Sequence, residues 1–154
     1  MKIRDILLLK YAKHRRAVTI GPDDMVSEVA KKLVEHDRGA LSVVDEKGRL
    51  VGIITERDLV RKCTAEGLSC SSVRVGDIMT RSVVTGTLED DTFYAINTMR
   101  EKRVRHMPIL DGEKVVGMIS MRDLLGLELS ECKTQSQYAH LMPVSARPHR
   151  LQVN

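Results

Sequence analysis

Hydrophobic and polar positions run through the same set of patterns twice. The first pass opens with the β-type run Ala17-Val18-Thr19-Ile20, closed by the turn signal Gly21-Pro22. Val26, Val29, Ala30, Leu33 and Val34 then fall at i, i+3, i+4, i+7 and i+8. That spacing predicts one buried helix face, N-capped by Asp23 or Asp24. Arg38-Gly39 ends this helix, with Gly39 suited to a left-handed cap. Two apolar runs, Ala40–Val44 and Leu50–Thr55, flank a turn at Asp45-Glu46-Lys47-Gly48. Asp58 opens a further helix with Leu59 and Val60 pointing inward. The unit reads β-α-β-β-α.

The second pass repeats the order. Val83-Val84-Thr85 is its first strand, Gly86-Thr87 its turn, and Asp90 or Asp91 its cap. Thr92, Ala95, Ile96 and Met99 form the helix face, and Val104–Leu110 and Val115–Ser120 the strands. Pro22–Asp45 and Leu88–Asp111 are both 24 residues long, aligned without a gap at an offset of 66. The second turn is one residue shorter, so the offset falls to 65 beyond it. This is the signature of internal duplication. The expected divisions are a basic arm and lead-in over 1–16, a first repeat over 17–66, a linker over 67–76, a second repeat over 77–128 and a polar tail over 129–154. Helix is expected near Glu128–Lys133 in that tail. Met79, Met99, Met107 and Met118 sit at apolar-pattern positions and read as core.

Composition narrows the class. A chain of 154 residues, 42% apolar and 30% charged, is an ordinary globular domain. With 3% aromatics and no Trp, it has no stacking platform for single-stranded nucleic acid. No apolar run approaches the ~18 residues of a membrane helix, and Ile6-Leu7-Leu8-Leu9 is too short for a secretion signal. A cytoplasmic location is expected, with Cys63, Cys70 and Cys132 as free thiols. Of the net charge of +4, residues 1–16 carry +5, leaving −1 for the rest. Basicity belongs to the N-terminal stretch, where Lys10–Arg16 reads as a solvated arm or as a phosphate or nucleic-acid contact.

The repeat ends in a chemical constellation. Gly52-Ile53-Ile54-Thr55-Glu56-Arg57-Asp58 returns as Gly117-Met118-Ile119-Ser120-Met121-Arg122-Asp123. A carboxylate accepts from vicinal sugar hydroxyls and repels phosphate, whereas Arg offers phosphate a bidentate fork. Both Asp residues also stand at expected helix N-termini, where an anion is favoured. The plainer reading is an N-cap, worth ~1 kcal/mol.

A β-α-β-β-α unit written twice, each copy ending in G-h-h-[ST]-x-x-D, resembles the CBS domain, and the tandem pair resembles a Bateman module of the stand-alone prokaryotic kind. The resemblance covers roughly residues 5–127. It implies an α+β fold, two repeats about a pseudo-twofold axis, and two clefts between them for AMP, ADP or ATP, or in some members NADH or S-adenosylmethionine. Carried over, the first site uses Asp58 on ribose and Thr55 and Arg57 toward phosphate, with Val84 and the Val104–Pro108 backbone along the base. The second uses Asp123, Ser120, Arg122 and Arg105, with Val18, Thr19, Arg38 and Gly39 framing the base. Gly39 and Arg105 occupy matching positions, so the sites are expected to be unequal, with Asp123 better supplied. His106 either contacts phosphate or covers a strand edge.

No Ser/His/Asp or Cys/His nucleophile set, metal spacing or P-loop occurs in the sequence. The expectation is a non-catalytic ligand sensor, needing no cofactor, that acts on a separate protein. The family commonly forms flat homodimers, for which Leu59, Val60, Leu124 and Leu125 are candidates. The alternative is a nucleic-acid-associated protein that uses the basic arm.

Overall fold

The computed structural model describes residues 1–11 and 17–126. Its elements are α1 (Ile3–Tyr11), β1 (Thr19–Ile20), α2 (Val26–Glu35), β2 (Ala40–Val44), β3 (Leu50–Thr55) and α3 (Glu56–Asp58). The last widens into a π-helical segment, Leu59–Thr64. Then come α4 (Val75–Ile78), β4 (Gly86–Thr87), α5 (Thr92–Glu101), β5 (His106–Asp111) and β6 (Lys114–Ser120). Residues 121–126 are again helical. The fold is α+β, with two three-stranded sheets, β1-β2-β3 and β4-β5-β6. In each the first pairing is parallel and the second antiparallel, and the same bulge recurs at Val43/Val44 and Ile109/Leu110.

The two cores are interlocked. α1 precedes the first repeat but buries Ile3, Ile6 and Leu7 against Ala95, Met99, Met107, Ile109, Ile119 and Leu124 of the second. The segment after the linker precedes the second repeat but buries Val75, Ile78 and Met79 in the first core. Matching main-chain bonds dock both. Ile3 N–H donates to the Asp90 carbonyl and Val75 N–H to the Asp24 carbonyl, each at 2.9 Å. Thr92 N–H donates to the Met1 carbonyl at 3.1 Å, and Val26 N–H to that of Val73 at 2.9 Å. The start of each long helix thus spends its orphan N–H groups on the other repeat's lead-in.

Several local expectations change for identifiable reasons. Neither Asp23 nor Asp24 caps α2. Asp24 Oδ2 accepts from Gly21 N–H at 2.8 Å, and the N-cap is Met25. The Val73 and Cys70 carbonyls take the first N–H groups of α2 instead. In the second repeat Asp91 does cap, accepting from Tyr94 N–H at 2.8 Å. The left-handed residue after α2 is Asp37 (φ 50), matched by Arg103 (φ 55) after α5, so Gly39 is not the cap. Strand β4 is Gly86–Thr87, the stretch expected as a turn, and not Val83–Thr85. In the register of the first repeat Thr85 would face Pro108, which has no N–H to give. Pairing therefore starts one residue later, at Gly86 and Ile109.

Val34 and Val60, expected inward, are exposed; Val29 and Leu33 complete the buried face of α2. Met118 is only half-buried, unlike Met79, Met99 and Met107. Leu124 is fully buried in the second core, and Leu59 is partly buried against the first. The rest of the basic stretch, 12–16, and the tail with its expected helix, Cys132, His140 and His149, lie outside the described residues.

The exchange makes a stability prediction. Ile6→Ala should cost about 2–5 kcal/mol, as for any large core truncation. Urea unfolding measures it. A free arm would register no more than about 0.5 kcal/mol, and that outcome would remove α1 from the core.

Candidate functional site

The ends of β3 and β6 each carry a closed hydrogen-bonded ring. Thr55 N–H and Oγ1–H donate to Asp58 Oδ2 at 2.9 and 3.0 Å, and Asp58 N–H returns a bond to Thr55 Oγ1 at 3.3 Å. Ser120 and Asp123 repeat the ring at 2.7, 2.8 and 3.2 Å. The N-cap is therefore Thr55 and not Asp58, which is the third helical residue and closes the capping box from inside the first turn; Ser120 and Asp123 stand in the same relation. A capping box uses only one carboxylate oxygen, Oδ2 in each case, so the other decides what more each can do.

Here the copies part. Asp58 is buried, and its Oδ1 is held by Lys62 Nζ at 2.8 Å, which also donates to the Ile78 carbonyl at 2.9 Å. Asp123 meets Lys10 of α1 instead, at 2.5 Å and through the already occupied Oδ2. Lys10 Nζ also donates to the Met118 carbonyl at 2.9 Å. Asp123 Oδ1 has no partner among the described residues. The difference traces to the lead-ins. In the first repeat the chain after α4 turns extended, and Thr80 pairs with Ile53 through two 2.9 Å main-chain bonds. In the second, α1 continues as helix and brings Lys10 over the matching edge of β6.

Around Asp123 opens a cavity of about 840 Å³, within the usual range for ligand clefts. The first repeat contributes Val18, Asp37, Arg38, Gly39, Ala40 and Glu56 to its wall. The second contributes Arg105, His106, Met118, Ser120 to Asp123, Leu125 and Gly126, and α1 contributes Lys10. Gly39 earns its place by size, because a Cβ there would stand 3.2 Å from the His106 ring. Its carbonyl accepts from Glu56 N–H at 3.1 Å, as that of Arg105 accepts from Met121 N–H at 2.9 Å. These bonds tie each strand entrance to the following helix.

Charge in the cleft is mixed but leans positive, with Lys10, Arg38, Arg105 and Arg122 against Asp37, Glu56 and Asp123. Burial pulls the Asp123 carboxyl upward, yet the bonds from Lys10 and Ser120 outweigh it and hold the group below the ordinary carboxylate range. Burial lowers Lys10, and Arg38 adds to this against the pull of Asp123. His106 is held below its ordinary value by burial first, then by Arg105 and Lys10. It faces the cleft as a neutral ring near pH 7.

A family model for the CBS domain matches residues 3–64 and 75–130, and both matches begin at the exchanged lead-ins. The chain belongs to the CBS domain family. Among solved structures, this CBS pair is similar to a putative signal-transduction protein with CBS domains from Burkholderia ambifaria. The two are 35% identical, with a TM-score of 0.79 over 85% of this chain and 96% of that one. It is also similar to the CBS domain pair of protein MJ0100, solved in complex with 5′-methylthioadenosine and S-adenosyl-L-methionine. There the identity is 27% and the TM-score 0.74, over 85% and 98% of the two chains. A curated relative, the CBS domain-containing protein CBSX3, mitochondrial, of Arabidopsis thaliana, is 38% identical over 119 residues. That alignment covers 75% of this chain and 58% of the relative. The chain spans 58%, 59% and 65% of the length of three such relatives.

Of the residues expected at the second site, Val18, Arg38, Gly39, Arg105, Ser120, Arg122 and Asp123 all line the cavity; Thr19 does not. His106 joins them. From the first site Thr55, Arg57, Asp58, Val84 and Pro108 lie outside it. Glu56, Asp37 and Met121 were not expected in the cavity, Met118 was expected as core, and Lys10 was expected only as part of the basic stretch Lys10–Arg16, as a solvated arm or a phosphate or nucleic-acid contact. Lys10 had a legible signal, since Ile3, Ile6, Leu7 and Lys10 stand at i, i+3, i+4 and i+7 of one helix face. Among the described residues no group of three His, Cys, Asp or Glu could hold a metal ion, and no helix is long and apolar enough to cross a membrane.

His106 sets a pH signature. The unfolded chain takes up its proton near 6.5, while the folded one resists to lower pH. Stability should therefore be full above 6.5 and fall as pH drops from there to the folded value. Thermal melts from pH 8 to 5 should show this slope in the wild type and a shallower one in His106→Gln. Identical slopes would place His106 in water.

Proposed function

We propose that this CBS pair is a non-catalytic sensor holding an adenosine-type ligand in the Asp123 cleft, with AMP, ADP or ATP favoured over NADH and S-adenosylmethionine. The reading is carried by Asp123 Oδ1, without a partner among the described residues, in a cavity that both repeats wall. A rigidly capped carboxylate is suited to two vicinal ribose hydroxyls. Arg122 and Arg105 take phosphate, while Ser120, whose N–H and hydroxyl both donate to Asp123, holds that carboxylate in place. Val18, Arg38 and Gly39 frame the base, and the small Gly39 leaves room for it beside His106. The ligands of the MJ0100 pair support the adenosine half of this assignment.

The first cleft, with Thr55, Arg57, Asp58, Val84 and Pro108, is the weaker site because Lys62 holds the second oxygen of Asp58. Signalling runs through α1. A ligand on Asp123 Oδ1 shares the carboxylate that Lys10 contacts through Oδ2, and because the helix of Lys10 is part of the second core, binding biases the lead-in between two arrangements. The output goes to a separate cytoplasmic protein. Two copies would pair through the exposed Val60 and Leu125. The nucleic-acid reading loses Lys2, Arg4 and Lys10, which are engaged with the Glu89 carbonyl, the Glu89 side chain and Asp123.

A thermal-shift screen over AMP, ADP, ATP, NADH and S-adenosylmethionine checks the class. A true ligand at 100 times its Kd adds about 2.7 kcal/mol of stability, and a flat screen rejects the sensor. Calorimetry then separates the sites. Asp123→Asn should weaken binding about tenfold or more, in line with a lost charged hydrogen bond, and Asp58→Asn should weaken it less. Equal, negligible losses would leave both residues as caps alone.

A further inference from the structure

The linker carries a feature unconnected with the cleft. Cys63 Sγ and Cys70 Sγ lie 3.0 Å apart, about 1 Å beyond a disulfide bond length. Cys63 is fully buried in the first core and Cys70 is half-buried. Their approach is set by main chain rather than by loose side chains. Leu68 N–H donates to the Cys63 carbonyl at 3.0 Å, and Gly67 N–H to that of Thr64 at 3.1 Å. Gly67, at φ 68, supplies the left-handed residue that reverses the chain. On the far side the Cys70 carbonyl accepts from Ser27 N–H at the start of α2, at 2.9 Å, and Ser72 N–H donates to Ser69 at 2.9 Å. Three residues beyond Cys70, the Val73 carbonyl holds Val26 and the exchanged lead-in begins.

We propose that Cys63 and Cys70 are a reversible oxidation site, converted by a low-molecular-weight disulfide of the glutathione type into an intrachain bond that staples the linker to the first core. The half-buried Cys70 reacts first. Its thiolate attacks one sulfur of the small disulfide, forming a mixed disulfide and releasing one small thiolate. Cys63 then loses its proton and attacks Cys70 Sγ, forming the Cys63–Cys70 bond and releasing the second small thiol. The protein gives up two electrons and two protons, and one small disulfide becomes two thiols. The Cys70 contact first, and burial after it, push the Cys63 thiol up, so it forms thiolate less readily than an ordinary cysteine and is not the first to react. The bond would close a short loop whose far end leads directly into α4, so oxidation would fix the docking of the second repeat's lead-in on the first core.

The test uses the full chain carrying Cys132→Ser, so that only the pair titrates. After incubation with oxidised glutathione, both thiols should resist alkylation under denaturing conditions, and peptide mapping should join 63 to 70. The melting temperature should rise by about 5 °C and return on treatment with dithiothreitol. Cys63→Ser in the same background should instead stop at a glutathione adduct on Cys70. A persistent adduct on Cys70 with Cys63 intact, thiols that stay alkylatable, or a bond between chains would each overturn the proposal.

Discussion

Everything in this fold depends on the trade of lead-in segments between the repeats. A β-α-β-β-α unit of this size has a sheet with one helix-covered face, and its apolar residues need a further layer to exclude water. Each repeat obtains that layer from the chain segment that topologically introduces the other: Ile3, Ile6 and Leu7 in one direction, Val75, Ile78 and Met79 in the other. The main-chain bonds at Asp24, Val26, Asp90 and Thr92 make the exchange specific. Cores built in this way cannot separate without each losing part of its own interior. The cleft between them inherits that rigidity.

The same trade explains why two nearly identical strand ends became different sites. Thr55-Asp58 and Ser120-Asp123 close the same ring with the same donors. What differs is the segment laid along the adjacent edge, extended main chain in one repeat and the last turn of α1 in the other. The first leaves Asp58 to a lysine of its own helix, which consumes its second oxygen. The second brings Lys10 to an oxygen already in use and leaves Oδ1 without a partner among the described residues, on a carboxylate that lines a cavity. Cap and binding group are therefore compatible roles for one carboxylate, decided by which oxygen the nearest cation takes. Gly39 opposite His106 adds the space that its counterpart Arg105 would occupy.

Much of this was legible. The order of the elements within each repeat, the two hairpin turns, the duplication and its one-residue shift all follow from periodicity and turn chemistry, because these are local properties of a chain. Seven of the eight residues expected around Asp123 line one cavity, since a motif at a strand end fixes where its side chains emerge. The misses share a cause. The cap of α2, the start of β4, the exposure of Val34 and the position of Lys10 each depend on what a distant segment contributes. Met25 caps without a side chain because Val73 and Cys70 supply carbonyls. β4 slips by a residue because Pro108, more than twenty residues away, cannot donate.

Local pattern alone establishes that the chain is two copies of one unit, where the long helices α2 and α5 and every strand but β4 run, and which residue types gather at the ends of β3 and β6. Hydrophobic period and turn chemistry act over a few residues and need no partner. Tertiary packing is what crosses the lead-ins, seats a lysine from the basic stretch in the cleft, leaves Asp123 and not Asp58 with an oxygen unpartnered among the described residues, and brings Cys63 and Cys70 together. Those outcomes rest on contacts between segments far apart in the chain, where burial and hydrogen-bond satisfaction choose among neighbours that local patterns do not distinguish.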